Sequence, residues 1–114
     1  MSLHEFDKVD YLSLDRVGGC LVLTISDDFD WDDEKVHLHF LQRKINRYFD
    51  FIESGEIWTQ LEGGVELELG RNTPIKISVI LKCSPTFEGV RFFNYVKGVA
   101  NESGIDFSYR TLAD

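Results

Sequence analysis

The chain has 114 residues, a formal net charge of -8 and a pI of about 4.8, and 43% of its residues are hydrophobic. A chain of this length forms one core, so we expect a single domain over residues 1–114. The negative charge repels phosphate backbones and anionic lipid headgroups, which excludes nucleic acid and membrane surfaces as expected partners.

The N-terminal residues have neither the basic nor the apolar region of a signal peptide. No apolar run approaches the roughly 20 residues of a membrane-spanning helix, so we expect a cytoplasmic protein. Cys20 and Cys83 lie in predicted strands, and their spacing fits no zinc motif. We expect them to be buried, reduced thiols, and we expect no cofactor.

The first half of the chain predicts a hairpin followed by a helix. Residues 9–15 alternate in polarity, turn residues occupy 16–19, and residues 20–26 alternate again. From residue 36 to 52 the spacing becomes helical, with one broad apolar stripe that ends before Gly55, the position of a left-handed cap. The stripe predicts a helix packed on the sheet.

The second half predicts further strands and a second helix. Ser84 and Pro85 are typical of a helix N-cap and first helical position, and Gly104 ends that helix. Alternating apolar residues predict strands at 56–61, 65–69, 75–83 and 105–110. Together the elements predict an α+β domain with a mainly antiparallel sheet of five to six strands, two helices packed on one face, and the order β-β-α-β-β-β-α-β.

The stretch DDFDWDDE, residues 27–34, contains six carboxylates and precedes the first predicted helix. With Asp32 as the N-cap, Trp31 and Val36 occupy the two positions of a hydrophobic staple. Asp33 and Glu34 then lie in the first turn, where the helix dipole favours negative charge. Half of the stretch is therefore predicted to be a helix start.

Asp27, Asp28 and Asp30 have no such local role, and a divalent-cation site is one alternative to simple solvation. The run Asp28, Asp30 and Asp32 has the spacing of a calcium loop. Its sixth position lacks the required glycine, and its twelfth is His39 in place of glutamate. An EF-hand is excluded, whereas a different cation site formed by Asp27, Asp28 and Asp30 stays open.

His37 and His39 are the other candidate ligands on the first predicted helix. They point about 200° apart at about 100° per residue, so they cannot bind one ion together. We expect His39 in solvent and His37 at the rim of the apolar stripe, bonded to a carbonyl at the sheet edge. No phosphate loop, nucleophile elbow or zinc-protease motif occurs, so we assign no catalytic residue and favour a role other than catalysis.

Five residues of the first predicted helix, which we call the Phe–Arg strip, lie outside its apolar stripe: Val36, Phe40, Arg43, Arg47 and Phe51. Aromatic residues and arginine are enriched at protein interfaces. The strip is therefore a candidate surface for a protein partner or a homodimer. The alternative is that a loop folds over its phenylalanines, since single exposed apolar residues are common.

Residues 26–57 carry a distinctive combination of short motifs. They are an Asp-rich turn with Asp30-Trp31, the pairs His37-Leu38 and Leu41-Gln42, and the ending Phe51-Ile52-Glu53-Ser54-Gly55. This combination resembles a family of short uncharacterised bacterial proteins, a domain of unknown function, although Phe29 stands where that family usually has leucine. The resemblance implies a bacterial, cytosolic protein with a compact α+β fold, and it implies no activity.

Two hypotheses of function follow. The leading one is a small non-enzymatic protein-binding module, for which an acidic inhibitor or immunity-type protein for a basic toxin would suit the charge. The alternative is a divalent-cation-dependent or small-ligand-binding protein that uses residues 27–30. Enzyme activity is not assigned, because catalytic groups can come together in space without a sequence motif.

Overall fold

The fold is a four-stranded sheet with three helices, in a computed structural model that describes residues 3–15, 17–61 and 73–112. The strands are β1 (Tyr11–Asp15), β2 (Cys20–Asp27), β3 (Ile75–Leu81) and β4 (Asp106–Thr111). The helices are α1 (Glu34–Glu53), α2 (Glu56–Leu61) and α3 (Phe87–Glu102). None of these three helices is long and apolar enough to cross a bilayer.

The strands lie in the order β1-β2-β3-β4. The pair β1–β2 is antiparallel, whereas β2–β3 and β3–β4 are parallel. One row across the sheet consists of Leu12, Leu23, Ile77 and Phe107. Since side chains alternate along a strand, this row and its equivalents form one apolar face of the sheet.

The predicted α+β class is correct, but the predicted mainly antiparallel sheet of five to six strands is wrong for the described residues. The sheet is mixed, with two parallel pairs and one antiparallel pair. α1 and α2 connect β2 to β3, and α3 connects β3 to β4. A helix that carries the chain back along the sheet lets the next strand run in the same direction, so these helices are parallel crossovers.

The predicted strand at residues 56–61 is also wrong, because these residues form α2. Gly55 takes a left-handed conformation with φ 84°, and the N–H of Glu56 donates to Ser54 Oγ at 3.3 Å. The new helix buries Ile57 completely. A run this short cannot be assigned to strand or helix by periodicity alone. The predicted turn at 62–64 and strand at 65–69 lie outside the described residues.

Both long helices begin later than the sequence predicts. The N-cap of α1 is Asp33, whose side chain accepts from the N–H of Val36, so the prediction of Asp32 is wrong by one residue. The N-cap of α3 is Thr86 and not Ser84, since the Thr86 hydroxyl accepts from the N–H of Gly89 at 3.1 Å. Several adjacent residues are good N-caps, so backbone geometry decides between them.

The core lies between the apolar face of the sheet and the two long helices. Its buried members include Leu23, Ile77, Leu41 and Phe93, one each from β2, β3, α1 and α3. Both helices therefore pack on the same face of the sheet. The N-terminal residues 3–10 lie beside α1, and Leu3 is fully buried in the same core.

Candidate functional site

The acidic stretch 27–34 directs three of its six carboxylates to backbone N–H groups. The three bonds run from Phe29 to Asp27 Oδ1 at 3.0 Å, from Asp32 to Asp30 Oδ1 at 3.0 Å, and from Val36 to Asp33 Oδ1 at 3.2 Å. Aspartate side chains commonly order turns and helix starts in this way. Local hydrogen bonding thus accounts for part of the acidic stretch, including two of the residues that the sequence left unassigned.

His37 ties this loop to the end of β2. Its Nδ1 lies 2.8 Å from the backbone oxygen of Asp30, and its Nε2 lies 2.5 Å from Asp27 Oδ2. A carbonyl oxygen can only accept, so Nδ1 carries a hydrogen. When Nε2 also carries one, the ring is an imidazolium that makes a charge-assisted bond to the carboxylate. The side chains of His37 and Asp27 are 1% and 0% exposed.

Trp31 covers this pair and connects it to the second crossover. Its ring stacks on His37 with a centroid distance of 3.7 Å and an interplanar angle of 27°. The indole N–H donates to the backbone oxygen of Cys83 at 3.2 Å. A Cβ atom on Gly89 would lie 2.8 Å from Trp31 Cη2, so any larger residue there would force the indole or α3 to move. Trp31 thus joins the two loops that follow β2 and β3.

The Asp27–His37 pair has the residue types of a catalytic dyad, but its geometry favours a structural role. A histidine that acts as general base needs one nitrogen free to reach the proton of a substrate. Both nitrogens of His37 are bonded within the protein, and Trp31 stacks on the ring. The pair therefore fixes the start of α1 against β2.

The acidic loop does not gather its carboxylates into a coordination shell. Asp27 is buried on His37, whereas Asp28 and Asp30 are exposed. Within residues 3–15, 17–61 and 73–112, no group of three or more His, Cys, Asp or Glu side chains is placed to hold a metal ion. The cation site formed by Asp27, Asp28 and Asp30 stays a prediction, and binding there would compete with the bond to His37.

A second buried polar cluster lies on α1, two turns after His37. Lys44 is fully buried, and its Nζ donates to Asp10 Oδ2 at 2.6 Å and to the backbone oxygen of Glu5 at 2.7 Å. The Tyr48 hydroxyl donates to the backbone oxygen of Thr24 at 2.8 Å and accepts from the N–H of Asp10 at 3.1 Å. Burial raises the pKa of Tyr48 to about 12. This cluster fastens the N-terminal residues to α1 and β2.

The same N-terminal residues cover much of the Phe–Arg strip. Phe40 is half-buried, with ring centroids of His4 and Phe6 at 5.4 and 6.0 Å. The guanidinium of Arg43 lies 4.1 Å from the centroid of the Phe6 ring, a cation–π contact. Phe40 therefore follows the alternative interpretation of the strip, in which a loop folds over its phenylalanines.

The rest of the strip is divided between buried and exposed positions. Arg47 donates from Nε to the backbone oxygen of Asp7 at 3.0 Å and forms a salt bridge with Glu56 at 3.2 Å. Phe51 is 4% exposed, whereas Val36 is 45% exposed. The strip is thus partly occupied by contacts within the chain, and its use as a partner surface stays a prediction.

The opposite side of α1 faces α3 across a solvent-facing cleft of about 150 Å³, which we call the helical groove. Its walls include Gln42, Asn46 and Phe49 from α1 and Phe92, Tyr95 and Val99 from α3. Tyr95 is 71% exposed, and Phe49 and Phe92 are half-buried. The groove combines apolar walls with the amide side chains of two residues.

Comparison with known proteins decides the family of the chain. The model of a family of unknown function, DUF6572, matches residues 1–113. The chain belongs to this family. The resemblance to a domain of unknown function is thereby confirmed. No curated protein and no solved structure matches the DUF6572 chain.

Sequence reasoning missed both buried polar clusters of the DUF6572 chain, although signals for them exist. Asp27 continues the series of inward-facing residues of β2 that begins with Leu21, so the alternation predicts that its carboxylate is buried in the core. Lys44 lies between Leu41 and Tyr48 at helical spacing, on the inward face of α1. A charged residue in an inward position predicts a buried partner. By contrast, the expectation that His39 is exposed agrees with the structure.

Proposed function

We propose that the DUF6572 chain is a small non-enzymatic module that binds a protein partner in the helical groove. The observation that carries this proposal is the exposure of Tyr95 beside the half-buried rings of Phe49 and Phe92. Binding sites combine apolar walls with a few polar groups, and aromatic residues are enriched where proteins meet. The amides of Gln42 and Asn46 supply the polar groups.

The buried ionisable groups support a role other than catalysis. His37, Asp27 and Lys44 are each engaged in hydrogen bonds to other parts of the chain. Among the described residues, no buried side-chain nitrogen or oxygen lacks a hydrogen-bond partner. Catalytic acids and bases act on a substrate through a group that can reach it. The buried groups of this chain instead form hydrogen bonds that hold its loops together.

The helical groove is favoured over the Phe–Arg strip because it is open in the folded chain. Binding on Phe40 requires displacement of residues 3–10, whose His4 and Phe6 rings contact it and whose Glu5 backbone oxygen accepts from Lys44. Binding in the groove requires no such rearrangement, and most interfaces form with little backbone change. With a net charge of -8, a partner with a basic surface is attracted at long range. Inhibition of a basic protein is one form that this function takes.

The test compares the proteins that the tagged wild-type chain captures from cell lysate with those that single variants capture, at low and at moderate salt. Tyr95→Ser alters the groove, Tyr11→Ser alters an exposed tyrosine on β1, and Arg43→Glu alters the strip. We expect a stoichiometric partner that is retained by Tyr11→Ser and Arg43→Glu and is reduced at least tenfold by Tyr95→Ser, about 1.4 kcal/mol. Capture that depends on Arg43 and not on Tyr95 contradicts the groove and returns the proposal to the strip.

A further inference from the structure

The two ends of the helical groove differ in charge. α1 and α3 each follow a strand of the parallel set β2, β3 and β4 and lead back to the start of the next, so the two helices end at the same end of the groove. Neither has a basic residue in its last turn, and each ends in an exposed glutamate, Glu53 and Glu102. Helix C-termini also carry partial negative charge. This end of the groove is therefore acidic.

The other end of the groove is closer to electrical balance. There Glu88 forms a salt bridge with Arg91 at 3.1 Å, and these two residues flank Leu38, Phe92 and Tyr95. A charged partner thus meets a neutralised entrance at one end and uncompensated carboxylates at the other. This asymmetry specifies the end of the groove at which the cationic part of a partner segment lies.

The walls of the groove specify the conformation of that segment. An extended peptide binds by adding hydrogen bonds to a sheet edge. Here both walls are helices, whose backbone groups are bonded within each helix, so side-chain packing has to supply the contact. The wall on α1 runs from Gln42 to Phe49, about two turns or 10 Å at 1.5 Å per residue. Leu38 lies in an adjoining pocket that shares Phe92 and Tyr95 with the groove. An amphipathic helix of similar length, with anchors at i, i+3 or i+4 and i+7, fits this surface.

We infer that the helical groove receives an amphipathic helix of the partner, with apolar anchors against Phe49, Phe92 and Tyr95 and Lys or Arg residues over Glu53 and Glu102. The inference rests on the proposed function and adds the class and the direction of the partner segment. The ligand is thus a cationic amphipathic helix belonging to a basic protein.

The probe is a displayed library of 14-residue helical peptides with leucine fixed at the three anchor positions and every other position randomised among Lys, Glu, Gln and Ala. Selection on the wild-type chain, counter-selected on Tyr95→Ser, enriches peptides with Lys in one terminal turn. A photo-crosslinker placed in that turn labels residues near the C-termini of α1 and α3. Enrichment of neutral or acidic terminal turns, or labelling at the start of α3, overturns the inference.

Two charge-reversal variants provide the matched comparison on one selected peptide. Glu102→Lys weakens its binding about fivefold, the effect of replacing one exposed ion pair by a repulsion. Asp28→Lys changes the net charge equally at an exposed site outside the groove and leaves affinity within twofold. Equal effects overturn the inference. Failure to select any Tyr95-dependent peptide also overturns it, whereas capture of a whole protein that still depends on Tyr95 preserves the proposed function, so the two failures are distinguishable.

Discussion

Replacement of His37 by phenylalanine tests the role of the buried pair at the start of α1. Phenylalanine keeps an aromatic ring against Trp31 but removes both nitrogens that bond to Asp27 and to the Asp30 carbonyl. The carboxylate of Asp27, which is 0% exposed, then lacks the ring nitrogen to which it is bonded. Breaking a buried pair in this way costs about 3 to 5 kcal/mol, a large share of the roughly 5 to 15 kcal/mol of a typical domain.

Asp27→Asn is the informative companion variant. Asparagine keeps Oδ1, which accepts from the N–H of Phe29, and places an N–H₂ group against Nε2 of a neutral His37. Since the buried side chain keeps a hydrogen bond to the ring, we expect a loss of only about 1 to 2 kcal/mol. The double variant should cost less than the sum of the two, with a coupling of about 1 to 3 kcal/mol for groups in contact.

Urea unfolding followed by tryptophan fluorescence and circular dichroism gives these free energies, at constant slope with denaturant. His39→Phe is the control, because His39 is an exposed histidine on the same helix, and we expect a change within about 0.5 kcal/mol. A His37→Phe variant that loses less than 1 kcal/mol, or single variants that add without coupling, would refute the structural role of the pair.

Three further predictions concern packing and burial. Gly89→Ala should destabilise the fold by about 1 to 3 kcal/mol, since its Cβ would lie 2.8 Å from Trp31. Gly98→Ala, with open space around it, should stabilise the fold by about 0.5 to 1 kcal/mol. Thermal unfolding of both variants shows whether the two changes in stability have opposite signs. The folded-state pKa of Tyr48 is about 12, above its ordinary 10.0, so its contribution to stability is complete below about pH 10 and is lost as pH rises toward 12. Tyr48→Phe should lack that loss when urea midpoints are measured from pH 9 to 11.5; a parallel decline in both proteins contradicts the assignment. Lys44→Met should release residues 3–10, which hydrogen exchange detects as faster exchange there and unchanged exchange in α3.

The fold could be predicted from sequence where a period repeats over a long segment. The alternation of β2 and β3 and the apolar stripe of α1 each extend over enough residues for one period to dominate. Strand pairing could not be predicted in the same way, because the partners of β3 lie far away in the chain and its own pattern suits parallel and antiparallel neighbours alike. The six residues of α2 are too few to show any period.

The candidate site could also be predicted only in part. The sequence predicts that carboxylates cap α1, and the structure agrees in kind while it assigns the cap to Asp33. The identity of the cap depends on the path by which β2 enters α1, which no local pattern encodes. The partner of Asp27 is ten residues away in sequence on another element, so its charge could be recognised as buried but not as paired. The helical groove requires two helices side by side and has no signature in either one.

The parallel pairing of β2 with β3 also bears on how the chain folds. Leu21 pairs with Ile75, and α1 and α2 lie between them in sequence. Such contacts close a long loop before they yield any stabilisation, so folding takes milliseconds or longer and not microseconds. During synthesis, the hairpin and α1 leave the ribosome before β3 exists, with their apolar faces uncovered. The last third of the chain therefore sets the moment at which the first two thirds become protected from aggregation.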